Sequence, residues 1–168
     1  MIFPSPKLVI DCGPEYIFLC KMIKVAVYDD NKNRREGLKM LIDESEYMAC
    51  VGAFEDCSKV IQNLNNSETD VILMDIHMTP VNGIEATRTI RQFSSNIKII
   101  GVSVQAERSY VNEMLRNGAN GYVTKNSPST EMVAAIHEVL AGNTYLCEEI
   151  GHLRAVAGEM RAQAQLRN

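Results

Sequence analysis

Short apolar runs alternate with longer segments of helical periodicity between residues 23 and 143, and this alternation constrains the fold most strongly. Most of the runs are apolar on both faces, as strands are when helices cover both sides of a parallel sheet. The predicted strands are Lys24–Tyr28, Met48–Phe54, Asp70–Asp75, Lys98–Val104 and Gly121–Thr124. A helical pattern follows each strand, so we expect an α/β fold: a doubly wound, five-stranded parallel sheet with five helices.

Polar side chains stand where these predicted strands end. Asp29 and Asp30 follow the first strand, Asp75 ends the third, Ser103 lies at the end of the fourth, and Lys125 follows the fifth. One aspartate at a strand end most often caps a turn. Parallel strands end at one edge of a sheet, however, and open α/β folds bind ligands at that edge. Their joint placement therefore indicates a functional site.

Three carboxylates at one edge repel one another unless a cation neutralises them. Oxygen ligands favour a hard cation such as Mg²⁺, which keeps part of its water shell for a substrate phosphate. A carboxylate beside Mg²⁺ and a lysine can act as the nucleophile in phosphoryl transfer. We therefore expect Asp75 to accept phosphate, with Ser103 and Lys125 holding phosphoryl oxygens.

Four segments together resemble the response regulator receiver family, the phospho-accepting half of two-component signalling. They are "VYDDN", "LMDIHMTPVNGIEATR", "IIGVSV" and "GANGYVTKN", and the resemblance covers about Met22 to Asn143. It implies a flavodoxin-like receiver fold with strand order 2-1-3-4-5. It also implies a sensor histidine kinase as the partner that supplies the phosphoryl group.

The resemblance assigns roles to individual residues. Asp75 would be the phosphoacceptor, and Lys125 would pair with the phosphoryl group. Asp29, Asp30 and Asp75 would hold Mg²⁺ together with the backbone carbonyl of His77. We expect the His77 imidazole to be a loop side chain and not a metal ligand. The chain would catalyse only its own phosphorylation and dephosphorylation and would not be a turnover enzyme.

The resemblance also implies a conformational switch. Ser103 would move toward the phosphate and Tyr122 would change rotamer with it, altering the surface of the fourth helix, fifth strand and fifth helix. The phosphate would thereby favour one of two existing packings. A homodimer could form through that surface or through the first and fifth helices.

Three positions depart from the usual family pattern. Thr79 stands where the family usually has proline, and Pro80 follows it. Val104 stands where a small residue is usual, and its β-branched side chain could keep water from the phosphate and lengthen the life of the phosphoryl state. Asn126 follows the lysine, as in the subclass attached to LuxR-type DNA-binding domains.

The flanking segments bear on domain organisation. Residues 1–21 are an N-terminal extension whose order the sequence leaves open, 22–143 form the receiver, and 144–168 form a linker and tail. "EVLAGNTYLCEEI" resembles the start of the linker in LuxR-type regulators, but the 18 residues after it are too few for a helix-turn-helix domain. The chain would then be the receiver part of a transcription regulator, or a stand-alone receiver that acts through protein partners.

Composition limits the partners and the location. The net charge is −4 and the pI is about 5.4, so no basic surface for nucleic acid is expected, and DNA binding would need an additional output domain. No signal peptide and no run of apolar residues long enough to span a membrane is found, which favours a cytoplasmic protein.

Two other classes use a similar scaffold. A haloacid-dehalogenase-type phosphatase wants a DxDx[TV] pattern, and Asp75-Ile76-His77 lacks the second aspartate. A flavodoxin-type binding module needs a phosphate-cradling loop after the first strand. Here that loop is "DDNKNRRE", which begins with acidic residues and has no glycine before Gly37.

Overall fold

Parallel strands form one sheet in the computed structural model, which describes residues 21–153 of the chain. The strands are β1 (Ile23–Tyr28), β2 (Met48–Phe54), β3 (Val71–Asp75), β4 (Lys98–Ser103), β5 (Gly121–Thr124) and β6 (Tyr145–Leu146). Their order is β2-β1-β3-β4-β5-β6, and every neighbouring pair is parallel. The expected α/β fold and the order 2-1-3-4-5 are confirmed, with β6 added at the edge.

Helices connect the strands, and their bounds are α1 (Lys32–Asp43), α2 (Val60–Asn66), α3 (Gly83–Phe93), α4 (Arg108–Arg116) and α5 (Ser129–Leu140). A 3-10 helix follows β6 at Glu148–Leu153. Helix α1 packs on β1 and β2, α5 packs on β4, β5 and β6, and α2, α3 and α4 contact one another in series. All five residues of β3 are buried, because the central strand is covered on both faces.

Local sequence sets the helix ends nearest the site. Asn31 caps α1, where its side chain accepts a hydrogen bond from the Arg34 backbone N–H at 3.1 Å. Asn82 caps α3 in the same way, through the Glu85 N–H at 2.9 Å. Asn and similar short polar residues suit these positions because they satisfy N–H groups that lack a helical partner. Gly118 follows α4 with a φ of 102°, which L side chains rarely adopt.

The sheet continues past Asn143, where the sequence placed the end of the domain. Strand β6 pairs with β5, and Cys147 and Ile150 are fully buried after it. Glu149 accepts a hydrogen bond from the Thr124 hydroxyl at 2.6 Å, which ties the 3-10 helix to the end of β5. The segment after α5 is therefore packed against the sheet at least as far as Ile150.

The predictions for residues 1–20 and 154–168 lie outside the described residues. Within residues 21–153, every helix is too short or too polar to cross a bilayer.

Candidate functional site

Three carboxylates meet at the edge of the sheet where β1 and β3 end. Asp29 and Asp75 are each 1% exposed, whereas Asp30 is exposed to solvent. Each of the three offers an oxygen, and these oxygens lie within 4.8 Å of one another. Because β1 and β3 are hydrogen-bonded neighbours in register, their ends bring Asp29 and Asp75 together. The structure thus assembles the acidic group that the sequence predicted.

Lys125 supplies a positive charge from the end of β5. Its Nζ lies 2.5 Å from Asp75 Oδ2 and 3.7 Å from Asp29 Oδ2, and its side chain is only 8% exposed. The Lys125 backbone N–H donates to the Ser103 carbonyl at 2.7 Å, which fixes where the lysine leaves the strand. A buried ammonium held between two carboxylates offsets their repulsion.

Arg34 enters the same site from the first turn of α1, and the sequence pattern did not predict its role there. Its Nε and Nη2 donate to Asp29 Oδ2 and Oδ1 at 2.6 and 3.0 Å, and Nη2 lies 3.6 Å from Asp75 Oδ2. The hydrogen bonds to Asp29 raise the pKa of the Arg34 guanidinium. The neighbouring Arg35 differs, since its Nη1 donates to the Asp29 backbone carbonyl at 2.7 Å. The only indication in the sequence was that the basic pair Arg34-Arg35 follows the acidic pair Asp29-Asp30 by about one helical turn.

The Asp75 carboxylate is oriented by the loop that follows it. The His77 backbone N–H donates to Asp75 Oδ1 at 3.0 Å, while the His77 and Tyr110 rings form a T-shaped pair with centroids 5.2 Å apart. A Cβ placed on Gly83 would lie 2.1 Å from the Asp75 carbonyl oxygen, so only glycine fits where α3 begins. The start of α3 therefore packs directly on the backbone of Asp75.

Ser103 and Tyr122 are joined through the loop after β4. Ser103 is fully buried, and its Oγ accepts a hydrogen bond from the Gln105 N–H at 3.1 Å. The Tyr122 hydroxyl donates to the Gln105 carbonyl at 2.7 Å. Burial raises the pKa of Tyr122 to about 12, so the phenol is neutral at ordinary pH. The two predicted switch residues thus contact the same loop residue.

The donor set of the acidic group suits a hard divalent cation. All three side chains offer oxygen, and the exposure of Asp30 leaves water access for a partly hydrated ion. On Asp75, Oδ1 is held by the His77 N–H, and Oδ2 faces Lys125 and Arg34. The two cationic side chains beside this oxygen suit it to accept an anionic group such as phosphoryl.

Comparison with known proteins identifies the family. Residues 25–137 match the family model described as the response regulator receiver domain. The chain belongs to this family of two-component signalling proteins.

Curated relatives give the same result. The chain is 36% identical over 138 residues to the response regulator GacA of Pseudomonas aeruginosa, covering 80% of this chain and 63% of that protein. It is 32% identical over 130 residues to the transcriptional regulatory protein DegU of Brevibacillus brevis, covering 77% and 55%. The chain therefore spans about 55–63% of the length of these relatives.

A solved structure agrees over nearly its whole length. The crystal structure of a LuxR-family two-component response regulator from Aurantimonas sp. SI85-9A1 superposes with a TM-score of 0.75 at 29% identity. The match covers 84% of this chain and 99% of that one. The similarity supports a receiver of the kind found in LuxR-type regulators.

Proposed function

We propose that this chain is a phospho-accepting receiver and that Asp75 takes its phosphoryl group from a phosphohistidine of a sensor histidine kinase. The observation that carries the proposal is the Asp75 carboxylate, 1% exposed, with Oδ2 2.5 Å from Lys125 Nζ. An Asp75 oxygen would attack the phosphorus, so that a new O–P bond forms and the N–P bond of the donor breaks. The donor ring nitrogen would keep the electron pair of the broken bond. One proton, already carried on the other ring nitrogen or taken from water, would make the released imidazole neutral.

The acidic group would hold Mg²⁺ through Asp29, Asp30 and Asp75, with the His77 backbone carbonyl as a further ligand. When bound, the ion would offset negative charge on the phosphoryl oxygens. Lys125 would hold a phosphoryl oxygen, since its ammonium already lies 2.5 Å from Asp75 Oδ2.

The phosphorylated state would end by hydrolysis at the same site. Water would attack the phosphorus, the O–P bond would break, the Asp75 carboxylate would be restored, and inorganic phosphate would leave. The chain would thus act on itself once per phosphorylation and would not be a turnover enzyme.

Phosphorylation would be transmitted through Ser103 and Tyr122. Both contact Gln105, so a shift of the Ser103 hydroxyl toward the phosphate would disturb the loop that the Tyr122 hydroxyl binds. Tyr122 lies on β5, next to α4 and α5 in the fold. The surface formed by α4, β5 and α5 would therefore respond, and it or the surface of α1 and α5 would form a homodimer.

The relatives support a biological setting for this receiver. DegU is named a transcriptional regulatory protein, and the Aurantimonas protein is assigned to the LuxR family. We place this receiver as the input part of such a regulator, in the cytoplasm, with DNA contacted only by an output domain. A stand-alone receiver acting through protein partners is the alternative.

The experiment is an intact-mass measurement after incubation with acetyl phosphate, with and without Mg²⁺. We expect a gain of one phosphoryl group that needs Mg²⁺ and is lost in Asp75→Asn. Asp56→Asn is the matched control, because Asp56 follows β2 and its carboxylate is not one of the three in the acidic group. Equal phosphorylation of Asp75→Asn and the wild type would contradict the proposal.

A further inference from the structure

Arg34 engages both carboxylate oxygens of Asp29 at once. The distances are 2.6 Å from Nε to Oδ2 and 3.0 Å from Nη2 to Oδ1, the two-pronged geometry in which guanidinium binds carboxylate most strongly. Asp29 Oδ1 also accepts the Asn31 backbone N–H at 2.8 Å. Both oxygens that Asp29 could offer to a metal therefore already accept hydrogen bonds.

The Arg34 guanidinium also supplies positive charge that a metal ion would otherwise bring to the carboxylates. Its Nη2 is 3.6 Å from Asp75 Oδ2, so one group places positive charge beside both buried carboxylates. A divalent cation placed among the same oxygens would meet this positive charge at close range and be repelled by it. Arg34 and a divalent cation therefore compete for Asp29 in this arrangement.

We propose that Arg34 is a built-in competitor of the divalent cation: it neutralises Asp29 and Asp75 in the metal-free receiver and must leave Asp29 before the ion binds. The inference rests on the proposed function for the identity of the ion. It adds to that function a role for Arg34, which is to control the affinity of the site for the metal. Arg34 is a positioning residue in this account, because it acts through the carboxylates of Asp29 and Asp75.

The side chain can be displaced while the helix stays in place. The Arg34 backbone N–H is bound by the Asn31 cap, which fixes the first turn of α1. The side chain is 31% exposed, whereas the Asp29 side chain is 1% exposed. Rotation of the guanidinium into solvent therefore requires no rearrangement of the core, and Asp29 keeps its position for the metal.

The test measures Mn²⁺ binding by electron paramagnetic resonance, with no phosphodonor present. We expect Arg34→Ala to bind Mn²⁺ about tenfold more tightly than the wild type, or more, because the ion no longer displaces a charge-assisted, two-pronged contact. Arg34→Lys, which keeps the charge without the planar fork, should fall between the two. Lys32→Ala is the matched control, since it removes one exposed positive charge from the same turn.

Thermal unfolding gives an independent measurement on the same proteins. In EDTA, Arg34→Ala should unfold at a lower temperature than the wild type, because Asp29 loses its guanidinium partner. Saturating Mg²⁺ should raise the Tm of Arg34→Ala by more than it raises that of the wild type, since tighter binding to the folded state stabilises it further.

The outcomes separate this inference from the proposed function. If Arg34→Ala binds Mn²⁺ within about twofold of the wild type, or if Lys32→Ala tightens binding equally, the competition is overturned. The variants could follow the predicted Mn²⁺ and Tm pattern while the wild type takes no phosphoryl group. That result would contradict the proposed function and leave the role of Arg34 intact.

Discussion

Substituting alanine for Gly83 should damage the site without removing any of its charged groups. A Cβ at this position would lie 2.1 Å from the Asp75 carbonyl oxygen and 2.9 Å from the Asp75 carbonyl carbon. A carbon and a carbonyl oxygen normally approach no closer than about 3.3 Å, so the two backbones would have to separate by about 1 Å. The obstacle is backbone and not a flexible side chain, so a change of side-chain rotamer cannot relieve it.

The structure sets the size of both effects. Forcing one extra carbon into a packed site costs about 1–3 kcal/mol, and we expect Gly83→Ala to lower the free energy of unfolding by that amount. Moving a reacting group by about 1 Å can reduce a rate about 100-fold. The rate of phosphorylation at Asp75 should therefore fall by about that factor in the protein that remains folded.

Urea unfolding measures the first effect, and the time course of intact mass with acetyl phosphate measures the second. Gly37→Ala is the control, because Gly37 is exposed in α1 and a Cβ there would meet nothing within 4 Å. That change should raise the free energy of unfolding by about 0.5–1 kcal/mol, as alanine suits a helix interior better than glycine. If Gly83→Ala matched the wild type in both stability and rate, the close packing of α3 on Asp75 would be wrong.

Two further predictions concern the switch region. The pKa of Tyr122 is raised by burial to about 12, from about 10 in an unfolded chain, so its contribution to stability is present below pH 10 and lost as pH rises toward 12. Tyr122→Phe should lower the free energy of unfolding by about 1 kcal/mol at pH 7, because the hydrogen bond to Gln105 is lost. Between pH 10 and 12 its stability should fall by less than that of the wild type. An unchanged pH dependence, measured by urea unfolding, would contradict this. Val104 is 56% exposed beside Ser103, and we expect it to shield the phosphoryl group from water. Val104→Ala should therefore lose phosphate faster than the wild type in a time course of intact mass. An equal rate of decay would count against the hypothesis.

The main features of the sheet and the acidic group were predictable from the sequence because they depend on backbone periodicity. Apolar runs fix which segments become parallel strands, and parallel strands end at one edge. The positions of Asp29, Asp75 and Lys125 follow from that geometry, and the structure brings their charged groups within 4 Å of a neighbour.

The role of Arg34 could not be predicted from the same pattern. Arg34 and Arg35 are adjacent on α1, and either long side chain could have reached back to the acidic pair. The structure directs Arg34 to the Asp29 carboxylate and Arg35 to the Asp29 backbone carbonyl. The choice depends on the phase of the helix and on side-chain torsions, neither of which sequence spacing specifies at one-residue resolution.

The short strand β6 was missed for a different reason. Two residues, Tyr145 and Leu146, are too few to display the alternation of a strand. Its pairing depends on contacts made only in the folded protein. Strand β6 pairs with β5, and Cys147 and Ile150, which follow it in the chain, are buried.

The central claim is that Asp75 itself carries the phosphoryl group, and chemical trapping tests it most directly. Borohydride reduces an aspartyl phosphate to homoserine, and peptide mass spectrometry then locates the altered residue. After incubation with acetyl phosphate and Mg²⁺, the account predicts homoserine at position 75 and unmodified aspartate at Asp29 and Asp30. Homoserine at position 29 or 30, or no homoserine in folded protein that has gained phosphate, would contradict it.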